Sequence, residues 1–245
     1  MDRRIVLTGL AASMFTAPAL SGCETLDPAL VNGLLGVSGA LTQGDAAAGI
    51  RAALNNGIGQ AIATTGRRDG FLADNLIRIP LPGFMQDLQR TLSPFGSLGI
   101  LDELQTQLNR GAEKAVPVAK DIFVDAVSGL TINDAINIVR GPDNAATSFL
   151  QQQTMPRLTQ LFTPIMDNAL GQTGALRAVD QLSSQLSNVP FAPSLGADAK
   201  SNLIGHGVDY GLKGMFAYIG KEEKAIRDNP AKRTSEILQR VFATV

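Results

Sequence analysis

From Asp45 onward, apolar residues recur every three or four positions, and no sustained apolar-polar alternation bounded by hairpin turns breaks that rhythm. Ala47, Ile50, Leu54, Ile58, Ala61 and Ile62 share one face of a first helix, with Asp45 placed to cap it. Gly70 to Pro82 is predicted to be extended, because Pro80 and Pro82 remove donors and push their predecessors away from helical angles. Phe84, Leu88 and Leu92 restart the helical period, and Leu101, Leu104, Leu108, Ala112 and Ala115 form a longer stripe that Pro117 ends or kinks. In that stretch Asp102 and Glu103 come early and Arg110 and Lys114 late, the order a helix dipole favours.

Ala119, Ile122, Phe123, Ala126, Val127 and Leu130 give the clearest pattern, with Lys120, Asp121 and Asp125 on the opposite face. Thr131 and Asp134 make a capping pair for a short helix through Val139, closed by Gly141 and Pro142. Asp143–Thr154, Pro156–Leu170 and Ala175–Leu186 read as three further helices, and Asn188–Gly196, with Pro190 and Pro193, as a connection. A long helix from about Asp198 to Arg227 turns Ile204, Val208, Leu212, Met215 and Ile219 inward. Asn229-Pro230 then opens a last helix with Ile237, Leu238, Val241 and Phe242 on its inner side. The expectation is an all-α fold, one compact multi-helix domain over residues 45–245, without internal repeats.

The chain before residue 45 follows a different rule. Met1-Asp2-Arg3-Arg4 is a basic start, and Ile5 to Leu20 is apolar but broken by Thr8, Gly9, Ser13, Thr16 and Pro18. A membrane-spanning helix needs about 20 consecutive apolar residues, whereas a basic start, an apolar stretch and small closing residues describe a secretory signal. Leu20-Ser21-Gly22-Cys23 resembles the bacterial lipobox, in which cleavage precedes a Cys that carries a thioether-linked lipid. Residues 1–22 are therefore expected to be a signal peptide, and 23–44, rich in Gly and small polar residues, a lipidated Cys23 with a flexible tether. Arg3-Arg4-Ile5-Val6-Leu7 resembles the twin-arginine export signal, although Asp2 and Val6 depart from its usual residues, so both that route and the general one stay open. Glu24, the residue after the Cys, resembles what directs sorting to the outer membrane, facing the periplasm. The membrane is thus the first expected partner, through a covalent lipid on Cys23.

Composition narrows the chemistry. The 245 residues carry 21 Lys plus Arg against 22 Asp plus Glu, a net of -1, so no broad cationic field is available and nucleic acid is not expected as a partner. One Cys and one His build neither a structural zinc site nor a nucleophilic triad with any choice of geometry, and no metal is expected. No nucleophile elbow, phosphate loop or dinucleotide fingerprint is present, so no cofactor is expected either. Asp121 and Asp125, one turn apart, have the spacing of paired carboxylates for acid-base work or for a hard cation, but a polar face opposite a clean apolar stripe is ordinarily solvated. His206 falls on an outer or second packing face with no Cys, His or Ser partner nearby in sequence. Glu222, Glu223, Lys224 and Arg227 read as a solvated network at helical spacing. Arg78-Ile79-Pro80-Leu81-Pro82 reads first as a stiff connection with Ile79 and Leu81 docked on the core, and second as a binding loop. An Arg78 buried there would pair with Glu113, Asp121 or Asp125, so Arg78, Glu113, Lys120, Asp121 and Asp125 form a candidate polar cluster, structural or binding.

Asp69-Gly70-Phe71-Leu72, Arg78 to Pro82, Ala112-Glu113 with Ala115-Val116-Pro117, Ala119 to Ala126, Ala145-Ala146-Thr147, and Arg227 with Asn229-Pro230-Ala231 and Arg233-Thr234 together resemble the bacterial family called domain of unknown function 4197. The resemblance implies a single helical domain on an exported, often lipid-anchored protein, and it carries no activity. Met155-Pro156 and His206 depart from the family's usual residues. The function expected is that of an envelope lipoprotein whose helical domain is a non-enzymatic interaction or structural module, binding a protein partner. A carrier of a lipid or other hydrophobic ligand, lined by Phe84, Phe123, Phe149, Phe162, Met215 and Phe216, is the alternative, and a carboxylate-dependent hydrolase is a third.

Overall fold

The computed structural model describes residues 43–92, 99–172, 174–188, 196 and 198–229, and among them all regular structure is helical, as the periodicity predicts. Arg3, Arg4, the lipobox residues Leu20, Ser21, Gly22 and Cys23, most of the tether and the helix predicted after Pro230 lie outside the described residues. So does most of the Asn188–Gly196 connection.

Helix α1 (Gln43–Thr65) buries Ala47, Ile50, Leu54, Ile58 and Ala61, the stripe its sequence predicts. It begins ahead of Asp45, so that residue belongs to the first turn instead of capping it; helix ends shift by a residue or two with local hydrogen bonding. Helix α2 (Gly83–Leu92) is short, and α3 (Gly99–Ala115) buries Leu101, Leu104, Leu108, Ala112 and Ala115. Pro117 ends α3 by imposing a 3-10 turn over Val116–Ala119, from which α4 (Lys120–Ser128) departs. Helix α5 (Ile132–Arg140) carries the predicted capping box: the Asp134 N–H donates to the Thr131 hydroxyl oxygen at 3.1 Å, and the Thr131 N–H donates back to the Asp134 carboxylate at 2.9 Å.

The stretch expected to form two helices around Pro156 is one, α6 (Ala145–Gln172), with Pro156 and Pro164 inside it. Each proline removes the donor to the carbonyl four residues back, those of Gln152 and Gln160. Both prolines and both glutamines are exposed, so water takes the freed carbonyls. The inner stripe, Leu150, Thr154, Leu158, Phe162, Met166 and Ala169, continues unbroken, and its packing holds the axis together. Helix α7 (Ala175–Ser187) follows Gly174, whose φ of 81° is the left-handed conformation glycine takes without strain.

Helix α8 (Ala199–Asp228) packs against α1, α3, α6 and α7. Its inner stripe starts at Leu203, with Ile204 only half-buried, and runs through Val208, Leu212, Met215 and Ile219. Between those residues it buries Gly207, Gly211 and Gly214. A Cβ at Gly211 would stand 3.3 Å from the Ala112 Cβ, and one at Gly214 would stand 2.6 Å from the Phe71 ring, so the missing side chains are what let α3 and the segment after α1 approach. Phe123 and Phe216 meet edge to face at 5.7 Å between ring centres.

The expected solvated network near the end of α8 is partly buried. The Glu223 carboxylate accepts the N–H groups of Ala146 and Thr147 at 2.9 and 2.8 Å, at the start of α6, and the Thr147 hydroxyl at 2.7 Å. Arg227 pairs with Glu223 at 2.9 Å and donates to the Ile138 carbonyl at 2.8 Å, near the end of α5. One side chain supplies negative charge to a helix start and the other positive charge to a helix end, which is why a pair at i, i+4 turns inward here.

Candidate functional site

Between α1 and α2 the chain runs from Gly66 to Pro82 without a helix, a long irregular connection for a compact domain. Its shape begins at Thr65, whose hydroxyl donates to the Ala61 carbonyl at 2.7 Å, and at Gly66, whose N–H donates to the Ile62 carbonyl at 2.8 Å. Asp69 takes a left-handed φ of 64°, and a Cβ on Gly70 would lie 2.4 Å from the Thr65 carbonyl oxygen, so the turn requires glycine there. The chain is extended only over its last residues: Arg67 to Ile77 is a series of turns, closed by bonds such as Gly70 N–H to Arg67 O and Arg78 N–H to Asp74 O. The prediction of extended chain from Gly70 holds from Arg78, where the two prolines act.

Apolar side chains anchor the segment from below. Phe71, Ile77, Ile79 and Leu81 are buried, as expected for Ile79 and Leu81. Polar side chains from α3 then fix its backbone. Asn109, fully buried, accepts the Ile79 N–H at 2.8 Å and donates to the Ile79 carbonyl at 2.9 Å. Glu113, 4% exposed, accepts the N–H groups of Phe71 and Leu72 at 3.2 Å each. Its other oxygen pairs with Arg110 at 2.7 Å, and Arg110 also reaches Asp69 at 2.7 Å. Those two carboxylates, Glu113 foremost, hold the Arg110 guanidinium above its already high ordinary pKa.

Helix α8 supplies the remaining supports. The half-buried His206 ring lies 2.8 Å through Nε2 from the Pro80 carbonyl and stacks on Tyr210 at 4.3 Å, so the lone histidine serves the second packing face that the sequence allowed it. Tyr218 donates its hydroxyl to Asp74. That bond, followed by the Leu76 N–H, holds the Asp74 carboxyl below its usual range, and the same carboxylate raises the Tyr218 hydroxyl.

The candidate cluster of Arg78, Glu113, Lys120, Asp121 and Asp125 does not assemble as anticipated. Arg78 is exposed and its Nε donates to the Leu72 carbonyl at 2.6 Å; no ion pair joins it to Glu113, Asp121 or Asp125 among the described residues. Glu113 and Arg78 instead hold the same residue, Leu72, one accepting its N–H and the other donating to its carbonyl. Lys120, Asp121 and Asp125 stand on the exposed face of α4, where Asp125 pairs with Arg157 at 3.0 Å. All three are exposed because Ala119, Phe123 and Val127 take the inner face of that helix.

The candidate carrier residues lie at different depths. Phe123, Phe162, Met215 and Phe216 are core, Phe149 is half-buried, and Phe84 is 38% exposed. An apolar cleft lies elsewhere, between α1, α5 and α8, with Ile50, Leu54, Ile138, Ile219 and Ile226 in its wall and a volume of about 30 Å³. Among the described residues no His, Cys, Asp or Glu group could hold a metal ion, and no single helix is long and apolar enough to cross a membrane.

Two larger open clefts flank the Asp69–Arg110 pair. One, of about 370 Å³, is lined by Gly66, Arg68, Arg110, Glu113, Lys114 and Pro117. The other, of about 400 Å³, includes Arg67, Asp69, Asp74 and Tyr218. Sequence reasoning missed Asn109, Arg67, Arg68 and Lys114 as parts of one locality. A polar Asn109 directly after Leu108 in an apolar stripe, and the Arg67-Arg68 doublet beside Asp69-Gly70, were the signals present.

Neither the curated proteins nor the solved structures contain a match to this chain. The family described as "Protein of unknown function (DUF4197)" has a model that matches residues 40–243, which takes in every described helix and the pinned segment Gly66–Pro82, and the chain belongs to that family.

Proposed function

We propose that this is a lipid-anchored protein of the bacterial envelope whose helical domain works by binding rather than by catalysis. The anchor reading is supported by Leu20-Ser21-Gly22-Cys23, which closes an apolar leader and contains the chain's one Cys. At roughly 0.8 kcal/mol per buried CH₂, two or more acyl chains hold a folded domain at a bilayer without a transmembrane helix. The leader and Glu24 favour export to the periplasmic face, through the general or the twin-arginine route, and attachment to the outer membrane.

The observation that carries the binding reading is the pinned segment. Buried or half-buried side chains at 109, 113 and 206 fix its backbone and Tyr218 holds its Asp74 side chain, while Arg67, Arg68, Asn75, Leu76 and Arg78 face outward. A surface ordered in advance pays little conformational entropy when a partner docks. Of the carboxylates a hydrolase would draw on, Glu113 is committed to two N–H groups and Arg110, and Asp125 to Arg157, while Asp121 stands exposed on α4. A carrier is the second reading, favoured by the apolar cleft of about 30 Å³, which holds a water-sized group, so an acyl chain would have to part α1 from α8.

Membrane fractionation of wild type and Cys23→Ser, with intact mass of the processed chain, tests the anchor. Wild type is expected in the membrane fraction, beginning at residue 23 and heavier than its sequence by the acyl groups, and Cys23→Ser in the soluble fraction. An unmodified sulfur, or a Cys23→Ser chain that stays with the membrane, removes the proposal.

A further inference from the structure

We infer that the cleft beside the pinned segment is a binding site for a phosphate-bearing anion of two or more charges, held by Arg68 and Lys114 with Arg110 at its back. The inference deepens the binding reading given above, and it does not depend on the lipid anchor.

Several surface cations meet carboxylates: Arg157 with Asp125, Lys200 with Asp180, Lys213 with Asp209, and Lys224 with both Asp143 and Asp228. Arg67, Arg68 and Lys114 are exposed without an ion pair among the described residues, as are Arg78, Lys120, Arg140, Arg177 and Lys221, but Arg68 and Lys114 are set apart by sharing a cleft with a third cation, Arg110. Arg68 and Lys114 line one cleft together, and Arg67 lines the other, across the Asp69–Arg110 pair. In a chain whose net charge is -1, this is a local surplus of positive charge.

The carboxylates in reach do not cancel that surplus. Glu113 already satisfies Arg110 and two backbone N–H groups, and Asp69 is held by the same guanidinium. Arg110 is thereby fixed in orientation by two partners, with part of its surface still open to the cleft, where a planar guanidinium suits phosphate geometry.

The shape of the cleft is built in. Gly66 forms its floor against Pro117, and a Cβ there would lie 2.9 Å from the Pro117 ring and 2.9 Å from the Ile62 carbonyl. At about 370 Å³ the space is of the size that small ligands fill, large enough for a diphosphate or a glycerophosphate head group. Both sources share one chemistry, a compact group with oxygens carrying at least two negative charges or presented in an anionic array.

The test uses the processed chain, residues 23–245, carrying Cys23→Ser, so that neither the apolar leader nor an acyl anchor supplies or masks membrane attachment. Pyrophosphate is titrated by calorimetry, and phosphatidylcholine vesicles with and without phosphatidylglycerol are used in co-sedimentation at low and moderate salt. Binding to at least one probe is expected, weakening as salt rises. Arg68→Ala with Lys114→Ala should weaken it about 30-fold, the combined effect of two basic side chains at an anionic surface. Both side chains are exposed, so the double variant should keep the wild-type melting temperature. Lys200→Ala with Lys213→Ala removes the same charge from paired sites and should leave binding within about twofold. Pyrophosphate binding without vesicle preference identifies a free phosphate ligand, and vesicle binding alone identifies a lipid head group; either supports the site. Binding of neither probe, or equal loss in the two double variants, overturns it.

Discussion

Replacing glycine by alanine at different points of α8 should change stability with opposite signs. Gly205 lies on the exposed side of the helix with nothing within 4 Å of an added Cβ. Alanine there gains helix propensity alone, about 1 kcal/mol, or roughly 2–4 °C in melting temperature for a chain of this size. At Gly214 the same Cβ would stand 2.6 Å from Phe71 Cε1 and 3.1 Å from Ile77 Cβ. Ordinary carbon contacts lie at about 3.5–4.0 Å, so the ring must retreat by about 1 Å. It has no room to do so, because Phe71 is fully buried and its own N–H is held by Glu113. Overpacking of this kind costs about 1–3 kcal/mol, toward the upper end for a buried ring, which less the propensity gain of about 1 kcal/mol leaves a net loss of up to about 2 kcal/mol. Gly207 is intermediate: its added Cβ would meet Leu108 Cδ2 at 2.9 Å and Met166 Sδ at 3.1 Å, the ends of adaptable side chains, and Gly207→Ala should be near neutral. Thermal unfolding followed by far-UV circular dichroism, with urea titration as a second measure, gives the order Gly205→Ala, wild type with Gly207→Ala, Gly214→Ala. A Gly214→Ala protein that melts at or above Gly205→Ala would refute the account of how the segment seats on α8.

Two further substitutions address the supports of that segment. Glu113→Ala leaves the N–H groups of Phe71 and Leu72 without an acceptor and strips Arg110 of one partner; it should cost about 3 kcal/mol in urea unfolding, and Glu113→Gln, which keeps an oxygen, about half as much. Equal losses in the two would place the whole effect in the Arg110 pair. Tyr218→Phe should cost about 1 kcal/mol near neutral pH, discounted for the partial exposure of Asp74. Because Asp74 is held below its ordinary value of 3.8, its contribution is present above that pH and disappears as the pH falls through the lowered value. Tyr218 is raised above its ordinary 10.0, so its contribution is present below pH 10.0 and disappears as the pH climbs through the raised value. The gap between wild type and Tyr218→Phe should therefore close at both extremes, and a gap constant across the pH range would assign the hydroxyl a packing role only.

Most of the helical layout was legible because burial imposes a period on the sequence. The stripes of α1, α3 and α4, the Thr131–Asp134 box and the break at Pro117 all follow from residues within one or two turns of each other. Local rules failed where a distant partner decided the outcome. Pro156 reads as a breaker until the inner stripe of α6 is seen to pack continuously with the proline turned to water. Glu223 and Arg227 read as a surface pair until the ends of α6 and α5 come within reach of them. Arg68 and Lys114 share a cleft only because Gly66 closes on Pro117, a contact that spacing along the chain does not encode.

The supports of residues 66–82 are all synthesised after the segment itself. Asn109 lies 30 residues beyond the Ile79 it holds, Glu113 lies 42 beyond Phe71, His206 lies 126 beyond Pro80, and Tyr218 lies 144 beyond Asp74. A growing chain therefore carries Arg67, Arg68 and Arg78 on a segment that α3 fastens first and whose last supports arrive only with α8. Resistance of the peptide bonds after those three arginines to trypsin becomes a built-in signal that α8 has been received, and the fully supported form of the segment exists only once α8 has packed.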